Sequence, residues 1–328
     1  VKIYVPGSSK IIANGDAIDK ISFDAYDNHW DHIDINSSTG NEFDHCIFRH
    51  GVNLANNTTQ RGGAIEIVLS EASVTNCIFT DNLAYDGGAI ATYQSNVLIE
   101  DCTFFRNRAT HRGGAIHIRE VTTPEVNTTI NRCIIYSNRA LETGGIHVAN
   151  NTNALIMNSL IYSNTSSIDG GITTNTFNDS PLGDVNIVNC VVANNTPHDV
   201  FFRGSLRSKA LNCIIWGSDQ SVGYRTDSND TLFQPRAFNL ENCAVQGASR
   251  FSPIDISFYT NCIKLNSSNS APDGPNFVNP LTDYSILAVS PCKDQGISTG
   301  VPTTDILGYT RTAPYDIGAY EVQRPFIS

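Results

Sequence analysis

Charged side chains are scarce in this sequence, and their balance is acidic. Asp, Glu, Lys and Arg make up 16% of the 328 residues, only six residues are lysines, and the formal net charge is −11. No basic tract interleaved with aromatic residues offsets that charge, so we expect no nucleic-acid partner. No apolar run approaches the roughly 20 residues that cross a bilayer, so we also expect no membrane span.

Residues typical of surface helices are few, whereas Asn, Ser, Thr and Gly are in visible excess. This composition favours strands and turns. The sequence therefore predicts an all-β chain with almost no helix.

Two short phrases recur along the chain. The first has a glycine pair before an apolar strand and occurs as RGGAIEI, YDGGAIATY, RGGAIHI, TGGIHV and DGGITTN. The second is built on cysteine and occurs as NCIFTDN, DCTFFRN, RCIIYSN and NCVVANN, with Ser159 once in the cysteine position. These anchors lie 19 to 31 residues apart, which is the period of one coil of a β-solenoid. Each coil is predicted to contain two strands and two turns.

In a parallel solenoid equivalent side chains of successive coils stack as ladders. The apolar rows that begin at Ile65 and Phe48 are predicted to form the core. The glycine pair is predicted to form a tight corner, because glycine adopts positive φ and leaves room for the next backbone. The asparagine row that begins at Asn82 is predicted to adopt left-handed backbone geometry and to bond amide to amide between coils.

The nine cysteines are predicted to be a ladder of buried free thiols. Stacked Cβ atoms about 4.8 Å apart do not match the roughly 3.8 Å separation of a relaxed disulfide. Their spacing of about 25 residues matches no zinc-binding pattern.

The GGAI and FxxN phrases resemble repeats of chlamydial polymorphic outer-membrane proteins and of bacterial right-handed parallel β-helix surface proteins. The closing phrases GPNFVNPLTDYSILAVSPCKDQG and DIGAYE resemble the end of secreted β-helix proteins common in Bacteroidetes. This resemblance implies a right-handed parallel β-helix that is secreted or displayed at the cell surface. The group includes adhesins, wall-associated proteins and carbohydrate-active enzymes, so the resemblance implies no particular reaction.

Outward positions of a solenoid are free of core packing, and one outward row contains acid–base chemistry. Glu66, His117 and His147 lie one residue past the core Ile of the glycine strand, and Tyr93 and Arg119 lie two residues further on. The histidines, Glu66 and Arg119 are candidate catalytic or metal-binding residues. The alternative is a solvated ladder of polar residues.

A second outward row follows the cysteine strand and is aromatic. Phe105, Tyr136, Tyr162 and Trp216 are candidate ligand-binding residues, together with Tyr93. A flat aromatic face suits sugar rings, but it also suits another subunit or a covering loop such as 120–129 or 176–186.

Two further sets of charged residues favour structural roles. The row before the glycines, Arg61, Asp86, Arg112 and Glu142, alternates in sign and predicts a salt-bridge ladder between coils. In the tail, a cluster of Asp294, Asp305, Asp316, Glu321 and Arg311 predicts a turn-rich cap, with Asp305 and Asp316 as a weaker candidate calcium site. No other cofactor is expected.

Signatures of known β-helix enzymes are missing. The sequence has neither a vicinal Asp pair nor a Gly-His-Gly of polygalacturonase type, nor a Gly-x-x-Asp-Phe of pectin-methylesterase type. Its few lysines also weaken a lyase hypothesis, although His117, His147 and Arg119 keep that hypothesis open.

We therefore predict a single-stranded right-handed parallel β-helix, a β-solenoid of about ten coils over 1–290, with an irregular cap of the same domain over 291–328. The leading function is an extracellular adhesin or scaffold that presents a repetitive face to a glycan or to other subunits. The alternative is a polysaccharide lyase or glycoside hydrolase with its site on the outer face. Because VKIYV already predicts a strand, we expect upstream coils to have been removed and the open first coil to permit end-to-end stacking or another homo-oligomer.

Overall fold

The computed structural model describes residues 1–25, 27–54, 61–119, 127–149, 152–175, 184–203, 208–218, 221–225, 238–246, 259–270 and 272–322. Within these ranges the chain forms strands and turns and no helix, hence no helix that could cross a bilayer.

Three long parallel sheets wind around one core, and each coil contributes a strand to each of them in turn. Sheet A contains Ile3–Val5, Ile33–Asn36, Ile65–Val68, Ile90–Tyr93, Ile116–Arg119, Thr143–Val148, Gly170–Asn175, Val200–Arg203 and Val222–Arg225. Sheet B contains Ile12–Asn14, Asn41–Asp44, Glu71–Thr75, Asn96–Glu100, Thr128–Asn131, Ala154–Met157, Val185–Val188, Ser208–Leu211, Asn239–Glu241 and Tyr259–Thr260. Sheet C contains Ile21–Phe23, Cys46–Arg49, Ile78–Thr80, Thr103–Phe105, Ile134–Tyr136, Leu160–Tyr162, Val191–Ala193, Ile214–Trp216, Ala244–Gln246 and Ile263–Leu265.

The ten strands in each of sheets B and C confirm the prediction of about ten coils in a parallel β-helix. Between sheets C and A, a small parallel sheet contains Val52–Asn53, Leu83–Asp86 and Arg108–Arg112. The prediction of two strands per coil is wrong, because sheet B is a separate third side.

Alternation of side chains explains why the strands bury one face. In the strand Ile33–Asn36 both isoleucines are buried and the two polar residues are half-buried. The predicted core rows are confirmed: Phe48, Phe79 and Phe104 are fully buried, and neighbouring rings stack with centroids 4.7 Å apart.

Single left-handed residues turn the chain between sheets B and C. These residues have φ between 48° and 54° and are His45, Asn76, Asp101, Arg132, Asn158, Asn189, Asn212, Asn242 and Asn261. Their polar side chains tolerate this conformation better than branched ones do.

The asparagine row after sheet C bonds between coils as predicted. Asn82 Nδ2 donates to Asn107 Oδ1 at 2.9 Å, and three further amide pairs along the row have distances of 3.0 Å. The row ends where the backbone N–H of Asn195 donates to the Asp199 carboxylate at 2.9 Å. The predicted left-handed geometry is wrong for these asparagines, because the residue before each of them, such as Asp81 with φ 58°, adopts it instead.

The glycine corner is confirmed at both positions of the pair. Gly87 has φ +67°, a conformation that side chains disfavour. At Gly88 a Cβ atom would lie 2.1 Å from the carbonyl oxygen of Gly114 in the next coil. The first glycine therefore supplies the turn, and the second permits the close approach of the backbones.

The cysteines are free, as predicted, and eight of the nine are buried. In several coils the backbone N–H of a cysteine donates to the sulfur of the next cysteine in the row, as from Cys46 to Cys77 at 3.4 Å. Ser159 takes the same place and accepts from the Cys133 N–H at 3.1 Å.

The C-terminal segment lies along the outer face of sheet C. It leaves the three sheets after Ile263–Leu265, earlier than the predicted residue 291, and includes an antiparallel hairpin, Phe277–Asn279 with Asp283–Ile286. Its buried side chains Phe277, Tyr284 and Ile317 form a second apolar cluster with residues of sheet C. The segment is therefore bound along the side of the helix.

Candidate functional site

The outer face of sheet A brings the predicted acid–base residues into one row. Strand register places Glu66 beside Ala91, Ala91 beside His117, and His117 beside His147. The same register places Asp34 beside Glu66 on the preceding coil. We call Asp34, Glu66, Ala91, His117 and His147 the outer row.

The two histidines face outward from the sheet, yet they are buried. His117 and His147 are 1% and 0% exposed, and their ring centroids are 5.2 Å apart. Burial lowers the pKa of His117 to about 3 and holds the pKa of His147 well below its ordinary value. Both imidazoles are therefore neutral near pH 7, so they offer lone pairs and are not a charged acid–base pair.

Charged side chains from the corner before the glycine pairs cover part of the outer row, and Asp86 Oδ2 lies 3.6 Å from His117 Nδ1. Arg61 Nε lies 3.3 Å from Asp86, and Arg112 Nε lies 2.8 Å from Glu142. The predicted salt-bridge ladder is confirmed, and His111 extends it by contacting Asp86 at 3.1 Å and Glu142 at 3.4 Å.

These contacts fix the charge states of the network. Burial alone would raise the pKa of Asp86, but the hydrogen bond from His111 and nearby cationic groups lower it to about 2. Hydrogen bonds to Asp86 and Glu142 raise the pKa of His111 to about 9. Hydrogen bonds from His111 and Arg112 outweigh burial at Glu142 and hold its pKa below the usual range. The network is ionised at neutral pH.

Arg203 and Asp169 extend this network to the next coils. Arg203 Nη2 lies 2.7 Å from Asp169, and Arg203 Nη1 lies 3.4 Å from Glu142.

Two acidic residues of this face, Asp169 and Asp34, were not among the predicted site residues, although their positions in the repeat indicate them. Asp169 directly precedes a glycine pair, as Asp86 does, and Asp34 follows a core Ile, as Glu66 does.

Glu66 lies at the more accessible end of the outer row. Its side chain is 20% exposed, and burial followed by the charge of Asp34 raises its pKa to about 7. Arg61, Lys2 and Arg119 oppose that shift. Glu66 can therefore both release and accept a proton near neutral pH.

The neighbours of Glu66 complete this end of the row. Lys2 Nζ lies 2.7 Å from Asp34, so this second carboxylate is ion-paired. Arg119 lies 4.5 Å from the centroid of the Tyr93 ring, which places a cation and an aromatic ring on the same face. His32 Nε2 lies 3.9 Å from Glu66.

The aromatic row on sheet C is partly covered, which fits the alternative of intramolecular cover better than that of an open flat face. Tyr136 stacks on Phe105 at 5.3 Å and on Tyr162 at 5.1 Å, with ring planes within 10° of each other. The rings therefore turn their faces toward one another, and their edges point away from the sheet. Trp216 is 6% exposed beneath Phe277, so it is not part of an open face.

Cover for this row comes from the C-terminal segment and from an arginine. Tyr284 packs on Tyr162 with centroids 5.0 Å apart, and Arg106 lies 4.7 Å from the centroid of Phe105. Of the predicted covering loops, 120–126 and 176–183 lie outside the described residues.

The carboxylates of the tail are engaged by donors of the same segment. Asp305 accepts from the backbone N–H groups of Leu307 and Tyr309, both at 2.9 Å, and Asp316 accepts from that of Asp294 at 2.7 Å. Such bonds stabilise turns, which fits the structural alternative. Calcium binding at Asp305 and Asp316 stays a prediction.

Among known families, the model of the right-handed beta helix region matches residues 3–179 of the chain. No curated protein and no solved structure matches the chain significantly.

Proposed function

The chain belongs to the right-handed beta helix family, and from that premise we propose that it is a carbohydrate-active enzyme that cleaves a polysaccharide at the outer row of sheet A. The observation that carries the proposal is Glu66, a partly exposed carboxyl with a pKa of about 7 beside the ion-paired carboxylate of Asp34. Paired carboxyl groups with different protonation are the usual means of acid–base cleavage of glycosidic bonds.

In this proposal Glu66 protonates the leaving glycosidic oxygen while a solvent water adds to the anomeric carbon, and Asp34 is the partner carboxylate that accepts the proton of that water. Arg119 and Tyr93 bind the sugar beside them, with the cation favouring an acidic residue of the polymer. The buried His117 and His147 take no proton in this step, because both are covered and burial holds the pKa of each well below its ordinary value.

The test is a panel of neutral and acidic polysaccharides incubated with wild type, with Glu66→Gln and with the control Glu71→Gln, which changes an exposed glutamate of sheet B. We expect new reducing ends from at least one polymer, and a loss of about 100-fold or more in Glu66→Gln alone. An unsaturated product would assign a lyase, with Glu66 as the base. Unchanged product release by Glu66→Gln would overturn the proposal.

A non-enzymatic adhesin or scaffold is the second candidate, and one observation favours it. Phe105, Tyr136 and Tyr162 remain half-buried, so their ring edges and the hydroxyl groups of the two tyrosines can contact a glycan or another subunit. Glycan binding without product release that is lost in Tyr136→Ala would support this function. Both candidates imply a protein that works outside the cell or at its surface.

A further inference from the structure

Three metal-binding side chains from two successive coils converge beside the charged network. Glu142 directly precedes the strand Thr143–Val148, and His147 is the fifth residue of that strand. Asp169 directly precedes the next strand of sheet A. One donor atom from each of these three residues lies within 4.8 Å of the other two.

Two of the three residues carry a buried polar atom without a hydrogen-bond partner in the described part of the chain. These atoms are His147 Nε2 and Asp169 Oδ2, and both residues are 0% exposed. Buried polar atoms are almost always paired, so two unpaired acceptors side by side indicate a missing donor or cation.

The hydrogen bonds of His147 leave its Nε2 lone pair free. The Thr143 hydroxyl donates to Thr173 Oγ1 at 2.8 Å, so its oxygen accepts from the Nδ1–H of His147 at 2.9 Å. The proton on Nδ1 makes Nε2 the basic nitrogen, which is the arrangement that orients metal-binding imidazoles.

The arginines hold the other oxygen of each carboxylate. Arg203 Nη2 lies 2.7 Å from Asp169 Oδ1, and Arg112 Nε lies 2.8 Å from Glu142 Oε2. Glu142 Oε1 has only the longer contact of 3.4 Å with His111. Asp169 Oδ2 therefore remains available, whereas Glu142 Oε1 would exchange its contact with His111 for a cation. The guanidinium groups orient both carboxylates while limiting the affinity for a cation.

We propose that Glu142, His147 and Asp169 bind one divalent first-row transition metal ion through one imidazole nitrogen and two carboxylate oxygens. A mixed nitrogen and oxygen set suits Mn²⁺ or Zn²⁺, whereas Ca²⁺ takes oxygen ligands. The site begins three coils beyond the strand of Glu66 and is independent of the proposed acid–base function. Its position between two coils makes it a cross-link of sheet A.

The test is titration of the chelator-treated full chain with Mn²⁺, with the electron paramagnetic resonance signal of free Mn²⁺ as the readout. Mn²⁺ is the probe because cysteines would compete for Zn²⁺. We expect one saturable site, weakened at least tenfold in His147→Gln and in Asp169→Asn. The control His45→Gln changes an imidazole paired with Asp44 on another side of the helix and is expected to bind as wild type does.

Circular dichroism shows whether each variant folds. If His147→Gln or Asp169→Asn does not fold, Glu142→Gln is used in its place to compare Mn²⁺ affinity with that of the wild type. Arg203→Gln adds an opposite expectation: removal of the competing guanidinium tightens Mn²⁺ binding. Absence of saturable binding in the wild type, or binding that persists unchanged in the folded ligand variants, overturns the proposal.

Discussion

At the scale of single residues, Glu66 and His147 lie in one row but differ in chemistry because they differ in burial. Glu66 is 20% exposed and has a pKa of about 7, whereas His147 is fully buried and neutral. Desolvation disfavours the charged form of both groups, so it raises the pKa of the acid and lowers that of the base. Glu66 is therefore the group in this row that changes charge near pH 7.

The pH profile of any cleavage activity follows from the pKa of Glu66. As a proton donor Glu66 must be protonated, so activity is expected to fall as pH rises through about 7. As a lyase base it must be ionised, and activity would rise through the same range. Initial rates of polymer cleavage across this range, with buffers of constant ionic strength, separate the two roles. A profile without a transition near 7 would contradict both.

His111 makes the stability of the fold depend on pH. Its pKa is raised to about 9 by Asp86 and Glu142, against about 6.5 in an unfolded chain. The stabilisation is fully present below pH 6.5 and is lost as pH rises through about 9. We expect His111→Gln to cost about 1–3 kcal/mol at pH 6 and less at pH 10, as measured by urea unfolding under reducing conditions. An equal cost at both values would show that the imidazole is not charged in the folded protein.

At the scale of elements, substitution of a glycine can destabilise the fold in two ways, by a clash of the new side chain or by an unfavourable positive φ. Gly88 has no room for a Cβ atom beside Gly114, whereas Gly300 has open space but φ +74°. We expect Gly88→Val to destabilise the protein by about 3 kcal/mol or more, because backbone of the next coil must move. Gly300→Val is expected to cost only about 1–2 kcal/mol through φ alone. Thermal unfolding of the two variants gives the comparison, and equal costs would refute the close-approach explanation.

The sequence predicted sheets A and C because each has a repeated landmark, the glycine pair or the cysteine. Sheet B was missed because its strands, such as EASVT and NVLIE, contain no recurring glycine pair or cysteine. Its one recurring residue is the isoleucine that Ile99, Ile130 and Ile156 place in register, and isoleucine also recurs in the other two sheets. The outer row was predicted as a row, since period-two alternation places Glu66, His117 and His147 on one face. Its burial could not be predicted, because part of its cover comes from Asp86 and other corner side chains that only coil stacking brings there.

At the scale of the whole molecule, the C-terminal segment turns an outer face of the helix into a second interior. Its apolar residues follow no period, so the sequence did not indicate which surface they contact. Arg311 anchors this segment: it is buried, lies 3.1 Å from Glu321 and donates to the carbonyl of Gly318 at 2.9 Å. Because this segment packs on sheet C, the side chain of Trp216 is buried against Phe277.

Removal of one side chain from this interface is expected to expose Trp216. Phe277 is 1% exposed against Trp216, and its neighbour Val278 is 52% exposed. We expect Phe277→Ala to cost about 3–5 kcal/mol and to shift tryptophan fluorescence to longer wavelength. Val278→Ala, the matched control, should change neither. Fluorescence and stability unchanged in Phe277→Ala would mean that the segment does not pack there in solution.

The direction of the hydrogen bonds in the asparagine row determines where an additional coil can be inserted. Each amide donates toward the following coil, and the Asp199 carboxylate takes the place of the next amide after Asn195. The other oxygen of Asp199 accepts from the backbone N–H and the hydroxyl of Ser218, so the row does not continue beyond Asp199. A duplicated coil inserted before Asn195 would place its asparagine between two amides of the row, one that donates to it and one that accepts from it. A coil added after Asp199 would have no neighbouring amide of the row to bond with. Gene duplication within this protein should therefore lengthen it from the middle.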